Sequence, residues 1–359
     1  MLYYLSRALT DFWGPFRLLQ SHAVLLACGT AAAALLVLAL LPRLWDRLPR
    51  DRGKAICSDT GGMKSAGKPT GAGLWVSLLI LPVAALVSPM SRWDVLTVGT
   101  IYAAMLFGYL DDRAACPWGE LRKGALDAVC AVLAAWFVAK GHSTIVWIPF
   151  VKGMWTVPTW VYVPCAAFVV WFTMNATNCS DGVDGLAGSL TVIALVMLSA
   201  ILYVVIGYKP VAHYFLLPCN PEAARWAIFA MTAAGGFAGY LWFNAEPSRV
   251  LMGDAGSRFL GMLVGVGSLV TGNPLLVLAF APVVLVNGGG GLAKLVLLRV
   301  AKKVGMDIGE ESVIRRVRFP LHDHCKKNLG WSNAQVLMRF TLLQIAVMAV
   351  LFVVLVKVR

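Results

Sequence analysis

Residues 161–205 read VYVPCAAFVVWFTMNATNCSDGVDGLAGSLTVIALVMLSAILYVV. Two apolar runs, 160–175 and 186–207, flank a short polar junction that contains two asparagines and two aspartates. A run of about 20 mostly apolar residues can cross a bilayer as a helix, because a helix pairs its own backbone groups. The stretch therefore predicts two membrane-spanning helices that meet in a polar turn at one membrane surface.

The rest of the chain repeats this pattern of apolar runs and polar junctions. Of its 359 residues, 59% are hydrophobic and 14% are charged, which is typical of integral membrane proteins. We therefore predict an all-α integral membrane protein with about ten transmembrane helices, in a single polytopic domain over residues 1–359. The apolar runs are 22–41, 72–88, 94–110, 124–140, 160–175, 186–207, 225–243, 256–271, 274–300 and 335–357.

The basic residues indicate how the chain is oriented. The loops at 43–70 and 301–334 are rich in Lys and Arg, whereas Arg92, Lys152 and Lys209 stand alone in loops of the opposite side. Cytoplasmic loops carry the excess of Lys and Arg. We therefore expect both termini outside and the acidic junctions together on the cytoplasmic face.

The net charge of +13 suits an anionic leaflet and an anionic substrate, although orientation signals alone account for most of it. We expect no nucleic-acid partner. The eight cysteines form no CxxC pair, and four of them face the reducing cytoplasm in this topology, so we expect no structural disulfide.

The third run ends in GYLDDR, which contains Asp111 and Asp112. Adjacent residues on a helix point about 100° apart, so one carboxylate can bind a cation while the other takes a proton. A solvated helix end explains the pair equally well. Acidic groups at one membrane face, beside basic loops, favour a metal-assisted reaction on a phosphate.

The junction NATNCSDGVDGLAG holds Asn175, Asn178, Asp181 and Asp184. Each pair is spaced by three residues and can face one side of a turn. The glycine after each aspartate lets the backbone approach a ligand closely. Asp184 can alternatively cap the helix that follows.

The seventh run ends in GYLWFNAEPSRVLMGDAGS, where Asn244 closes the helix and Pro247 prevents its continuation. Asp254 stands just before the Gly256 turn that starts the next helix. Free N–H groups at such a helix start can bind a phosphate. A simple helix cap is the alternative interpretation of Asp254.

The last cytoplasmic loop contains RRVRFPLHDHCKKN. His322 and His324 are two residues apart and would share a face in an extended segment. The spacing is too cramped for a zinc site from one loop, so histidines beside Arg and Lys suit a diphosphate better. Lys64, Lys68 and Lys123 add movable point charges.

These motifs resemble those of the polyprenyl-phosphate N-acetylhexosamine-1-phosphate transferases over most of the chain. The ending GWSNAQVLMRF points to the branch whose donor is UDP-N-acetylmuramoyl-pentapeptide. In family order the matching stretches are GKPTGAG (67–73), GYLDD (108–112), NATNCSDGVDGLAG (175–188), GYLWFNAEPSRVLMGDAGS (239–257), FPLHDHC (319–325) and GWSNAQVLMRF (330–340).

The resemblance assigns roles to individual residues. It implies that Asp254, with Asp184, holds Mg²⁺, and that Gly288–Gly291 breaks the ninth helix to open a lipid-facing groove. Its catalytic residues would be Asp111, Asp112, Asp254, His322 and His324. Its substrate-binding residues would be Lys64, Lys68, Thr70, Lys123, Asn175, Asn178, Asp181, Asp184, Asn244, Leu251 and Asn287.

Three positions depart from the family pattern. Asp323 replaces the middle one of three consecutive histidines, Leu251 replaces an aromatic residue that stacks on uracil, and Asn287 replaces a glutamate. These departures bear on how the chain binds uridine.

The implied substrates are UDP-MurNAc-pentapeptide and undecaprenyl phosphate in the bacterial inner membrane. A lipid phosphate oxygen would attack the sugar-linked phosphorus and release UMP, or an aspartate would attack first and form a covalent intermediate. The family implies a homodimer in contact with membrane lipid. The alternatives are a sister transferase that uses UDP-GlcNAc or a related UDP-sugar, and a secondary transporter, which would carry its acids nearer the bilayer midplane.

Overall fold

The computed structural model describes residues 1–51, 66–114, 116, 118–151, 153–305, 312 and 316–357. Its regular structure is helical apart from a pair of two-residue strands, β1 (Ile145–Val146) and β2 (Trp155–Thr156), which lie antiparallel. The α-helices are α1 (Leu2–Leu9), α2 (His22–Leu44), α3 (Gly73–Val87), α4 (Arg92–Arg113), α5 (Glu120–Gly141), α6 (Thr159–Ser180), α7 (Leu186–Ala200), α8 (Lys209–Tyr214), α9 (Ala223–Asn244), α10 (Gly253–Val270), α11 (Val277–Phe280), α12 (Pro282–Val284), α13 (Gly290–Val304), α14 (Leu321–Leu329) and α15 (Asn333–Lys357). Turns of 3₁₀ helix occupy Gly14–Gln20, Trp45–Arg47 and Pro274–Leu276, and π-helical segments occupy Ile201–Ile206 and Leu285–Gly289.

Within the described ranges, 8 helical segments are long and apolar enough to cross a membrane. The remaining two predicted runs correspond to α3, which has only 15 residues, and to α10. The count of ten spans and the outward placement of both termini therefore stay predictions. The segments that meet both criteria are His22–Arg47, Arg92–Arg113, Glu120–Gly141, Thr159–Ser180, Leu186–Ile206, Ala223–Asn244, Pro282–Val304 and Asn333–Lys357.

Helix α10 lies at the centre of the bundle. Every residue from Ala255 to Val270 is buried, and the helix packs against α3, α4, α6 and α7. A helix that is enclosed by protein needs no apolar surface toward lipid, so it can carry charged side chains on its inner turns. This enclosure accommodates the charged Asp254 and Arg258 near the start of α10.

Small residues bring the neighbouring backbones against α10. A Cβ atom added at Gly73 would clash with the backbone of Gly256, so α3 and α10 are in direct backbone contact. Further along, a Cβ atom at Gly261 would lie 2.7 Å from the Cα atom of Met174 in α6. Close approach through small residues is a common way for helices to associate in membranes. These contacts fix where the first turn of α10 lies.

The ninth predicted run, 274–300, is irregular near its beginning. Ala281, with φ −131° and ψ 39°, interrupts the helix before Pro282. The backbone remains helical through Gly288–Gly291, first as the π-helical segment and then as α13. A Cβ atom at Gly288 would clash with the carbonyl oxygen of Ala176, so this glycine permits close packing on α6. The predicted break at the glycine run is not confirmed.

Candidate functional site

The ends of α4, α5 and α10 bring together two of the sequence-predicted acids around one lysine. The Nζ atom of Lys123 lies 2.6 Å from an oxygen of Asp111 and 3.8 Å from an oxygen of Asp254. Asp111 also accepts a hydrogen bond of 2.8 Å from the backbone N–H of Trp118. The side chain of Asp254 is 28% exposed, so its carboxylate is accessible to a ligand.

Asp112 has a different environment from its neighbour Asp111. Its carboxylate accepts hydrogen bonds from the backbone N–H groups of Asp254 at 3.2 Å and Ala255 at 3.3 Å. Asp112 lies in α4 and therefore caps the N-terminus of a different helix, α10. Its negative charge also interacts favourably with the positive end of the α10 dipole. Because these two N–H groups already donate to Asp112, they are not available to bind a phosphate, and the prediction of a phosphate site at these N–H groups is wrong.

A buried guanidinium supports Asp254 from the interior. The Nη1 atom of Arg258 donates to Asp254 at 2.8 Å, and its Nε atom donates to Asp127 at 3.0 Å. The side chains of Arg258 and Asp127 are only 6% and 2% exposed. Sequence reasoning missed both residues. Each is a charge inside a predicted apolar run, and that signal could have identified them.

A second ion pair lies in the turn between α6 and α7. Lys68 contacts Asp184 at 3.6 Å and donates a 2.8 Å hydrogen bond to the Ser248 hydroxyl, and the N–H of Ser248 donates to Asp184. The residue that caps α7 is Gly185, with φ +77° and no side-chain cap, so the capping alternative for Asp184 is wrong. The described contacts of Asp184 do not extend to Asp254.

The asparagines at the end of α6 point in different directions. Asn178 donates to the hydroxyl of Ser257 at 3.0 Å and also hydrogen bonds to Asp254. Asn175 instead donates back to the carbonyl of Trp171, one turn earlier in its own helix. The structure thus places Asn178 beside the Asp254 carboxylate, whereas the amide N–H of Asn175 serves the helix itself.

Of the other two predicted substrate-binding residues near this turn, Asn244 is buried and Asp181 is exposed. Asn244 is 5% exposed, accepts from the N–H of Gly185 and donates to the carbonyl of Val250, both at 2.8 Å. Its amide therefore braces two loops from inside. Asp181 follows the last residue of α6 and is exposed, so its carboxylate is accessible to a ligand.

Residues from the loops flanking α3 and α10 pair through their backbones. The N–H of Leu251 donates to the carbonyl of Pro69 at 2.8 Å, and the N–H of Thr70 donates to the carbonyl of Pro49 at 2.9 Å. Both side chains are partly exposed. Lys64, which the sequence predicts as a substrate-binding residue, lies outside the described residues.

The two histidines do not share a face, because Pro320 precedes a helix and not an extended segment. Residues two apart on a helix point about 200° apart. His322 is 2% exposed, while His324 is partly exposed and accepts from the N–H of Arg318 at 3.4 Å. Burial lowers the pKa of His322 to about 4, so its ring is neutral at pH 7 and adds no positive charge toward a diphosphate.

The metal-ligating residues in the described part of the chain do not form a compact cluster. Among the residues that the structure describes, no group of three or more His, Cys, Asp and Glu side chains could hold a metal ion on its own. A cation at Asp254 would therefore complete its coordination shell with water or with substrate oxygens, as Mg²⁺ commonly does.

Comparison with known proteins gives a consistent result. The family profile described as glycosyl transferase family 4 matches residues 95–272. The phospho-N-acetylmuramoyl-pentapeptide-transferase of Treponema pallidum (strain Nichols) is 44% identical over 351 residues, which cover 95% of this chain and 93% of the relative. The enzymes of that name from Oleidesulfovibrio alaskensis and Borreliella afzelii are 30% and 25% identical, over 79% and 90% of this chain and 78% and 93% of the relatives.

Proposed function

The chain belongs to glycosyl transferase family 4 and, within it, to the phospho-N-acetylmuramoyl-pentapeptide-transferases; from that premise we propose the reaction and the roles of its residues. The protein transfers phospho-N-acetylmuramoyl-pentapeptide from UDP-MurNAc-pentapeptide to undecaprenyl phosphate, giving lipid I and UMP. It is a multi-pass membrane protein.

The observation that carries the residue assignment is the position of Lys123 between the carboxylates of Asp111 and Asp254, at 2.6 and 3.8 Å. A lipid phosphate and a nucleotide diphosphate repel each other, so their approach requires compensating positive charge. Lys123 supplies one such positive charge, next to the carboxylates of Asp111 and Asp254. We assign proton acceptance from a monoanionic lipid phosphate to Asp111, which is 8% exposed and held by Lys123 and the Trp118 N–H.

Mg²⁺ fits the chemistry at Asp254. The carboxylate offers hard oxygen ligands and is partly exposed. When bound, Mg²⁺ would supply charge stabilisation for the diphosphate and the leaving UMP. Arg258, Asn178 and the Asp112 cap would hold Asp254 in place for it. Asp184 as a second ligand stays a prediction, because its described partners are Lys68 and Ser248.

Nucleotide binding is assigned to the turn between α6 and α7, where Asp181 is exposed and Asp184 pairs with Lys68. The basic loops predict that this side of the bundle faces the cytoplasm, and the family implies a bacterial inner membrane. A homodimer remains an expectation from the family.

The test is UMP release by purified protein with undecaprenyl phosphate, Mg²⁺ and each candidate UDP-sugar in turn. Release with UDP-MurNAc-pentapeptide alone, abolished by EDTA, is the expected result. Release with UDP-GlcNAc instead would support the sister transferase and keep the assigned residues. No release from folded protein with any donor would contradict the proposal and favour transport.

A further inference from the structure

Asn287 and His322 form a buried pair that the reaction above does not use. Asn287 lies in the π-helical segment before α13 and is 0% exposed, and His322 lies in α14 and is 2% exposed. The Oδ1 atom of Asn287 accepts a hydrogen bond of 2.9 Å from the backbone N–H of His322 and lies 3.2 Å from its Nδ1 atom.

These contacts fix which nitrogen of His322 carries the proton. The backbone N–H can only donate, so the amide oxygen of Asn287, and not its NH₂ group, must face His322. An amide oxygen can only accept, so the Nδ1 atom at 3.2 Å must carry the hydrogen. The ring is then the neutral Nδ1–H tautomer, and Nε2 holds a lone pair.

The arrangement leaves one polar atom unsatisfied. Among the buried side-chain atoms that the structure describes, Nδ2 of Asn287 has no hydrogen-bond partner. A buried donor without a partner is unfavourable, because it has lost its hydrogen bonds to water. Aspartate has the same shape and no donor to leave unpaired, but its charge would favour the imidazolium. Asparagine therefore differs from aspartate at this position in offering His322 an acceptor oxygen that carries no charge.

The opposite edge of the His322 ring touches the turn between Asp181 and Asp184. A Cβ atom added at Gly182 would clash with the Nε2 atom, so the ring lies directly against that glycine. A change in the orientation or charge of the ring would therefore displace the turn that carries Asp181 and Asp184.

We propose that Asn287 is a positioning residue that holds His322 as the neutral Nδ1–H tautomer, and that His322 in turn supports the Asp181–Asp184 turn. The imidazole then acts through the turn and not as a cation on the diphosphate. The charged groups that act on the ring from its own helix are Asp323, whose oxygen lies 3.7 Å from Nε2, and Lys326. Asp181 and Asp184 flank the glycine on the facing turn.

The tautomer is tested without substrate, by ¹⁵N NMR of ¹⁵N-histidine-labelled protein in detergent. The His322 signals are those lost in His322→Gln. We expect a protonated Nδ1 and an unprotonated Nε2 at pH 7, and a ring that still lacks its second proton at pH 5. A protonated Nε2 at pH 7, in either the neutral or the charged ring, would overturn the proposal.

Two variants of Asn287 separate its role from general destabilisation. Asn287→Asp should raise the pH at which His322 gains its second proton by about one pH unit or more, because a carboxylate favours the imidazolium. Asn287→Leu removes the acceptor and should produce some Nε2–H tautomer. The control is Asn273→Asp, at another buried asparagine whose Nδ2 atom also lacks a described partner; it should leave the His322 signals unchanged. An unchanged tautomer and titration in both Asn287 variants would refute the assignment.

The role of the pair in the reaction rests on the proposed function, which assigns nucleotide binding to Asp181 and Asp184. Asn287→Leu should raise the KM for the UDP-sugar about fivefold or more, with a smaller change in kcat, since the loss of one hydrogen bond misplaces a binding turn. A fall in kcat with unchanged KM would contradict positioning and place His322 in the chemical step. Absence of UMP release from the unaltered protein would refute the proposed function alone, because the NMR result does not depend on it.

Discussion

Replacing Arg258 by methionine should destabilise the protein, and replacing Asp127 as well should restore stability without restoring activity. Arg258 donates to Asp127 at 3.0 Å and to Asp254 at 2.8 Å. In Arg258→Met, the Asp127 carboxylate, whose side chain is 2% exposed, loses the guanidinium that pairs with it. The variant therefore leaves a buried negative charge without that partner.

The expected magnitudes follow from this burial. Removing one partner of a buried ion pair costs about 3–5 kcal/mol, whereas replacing both partners with apolar side chains is often neutral. Arg258→Met should thus lower the free energy of unfolding by about 3–5 kcal/mol, and Asp127→Leu/Arg258→Met should recover most of that loss. The double variant still lacks the hydrogen bond to Asp254. A bond to a charged group contributes about 1.5–3 kcal/mol, which predicts a rate about 10- to 100-fold lower.

The assay is equilibrium denaturation in detergent, run on both single variants, the double variant and the unaltered protein, together with UMP release at fixed Mg²⁺. The matched control is Arg50→Met, which breaks the exposed pair with Asp46 at 3.5 Å and should change the free energy of unfolding by less than about 1 kcal/mol. A stable Arg258→Met protein would refute the buried-charge argument. Wild-type activity in a stable double variant would refute the claim that Arg258 orients Asp254.

Other changes test the remaining parts of the site. Asp254→Asn should nearly abolish UMP release with little change in the melting temperature, and a wild-type rate would remove its assigned metal role. Lys123→Met should lower kcat/KM for UMP release and make kcat/KM less dependent on salt, because the variant removes the positive charge that contacts both Asp111 and Asp254. An unchanged rate would contradict the role assigned to Lys123. The folded pKa of His322, about 4, lies below the unperturbed value near 6.5, so the unfolded chain binds the proton first as pH falls. The contribution of the neutral His322 ring to the free energy of unfolding is therefore complete above about pH 6.5 and is lost as the pH falls toward 4. His322→Gln should make the free energy of unfolding, measured by denaturation at several pH values, less dependent on pH in that range. Gly256→Val should prevent folding, measured as loss of monodisperse protein on size exclusion, because its side chain would enter the contact with Gly73.

The helices that face lipid were predictable from the sequence, and those that face protein on all sides were harder to predict. The runs at 22–41 and 335–357 correspond to α2 and α15, most of whose residues are not buried, since apolar length alone defines a span. The run at 274–300 contains an interruption at Ala281, and Pro282 is its sequence signal, because a proline disfavours the α conformation of the residue before it. The segment after Pro320 forms a helix because its buried His322 and Cys325 pack inward, which the charged sequence around them conceals.

The same distinction applies to the candidate site. Asp111 and Asp254 could be assigned to one membrane face because orientation follows from loop charge. Their shared contact with Lys123 could not be predicted, since it depends on how α4, α5 and α10 approach one another. The capping of α10 by Asp112, and the pairing of Arg258 with Asp127, depend on the same distances between helices. Sequence therefore indicated which residue types gather at the site, and packing determined their partners.

The location of Asp254 on the most enclosed helix has a consequence for how the site responds to mutation. Its carboxylate receives contacts from Lys123 in α5, Asn178 in α6 and Arg258 in α10, while Asp112 in α4 holds its backbone N–H. Preorganised charge of this kind is effective because the groups need not reorganise during the reaction. Four helices must then keep their spacing for one carboxylate to keep its direction. Gly261→Ala, which would place a Cβ atom 2.7 Å from the Cα atom of Met174 in α6, should therefore lower kcat together with the free energy of unfolding.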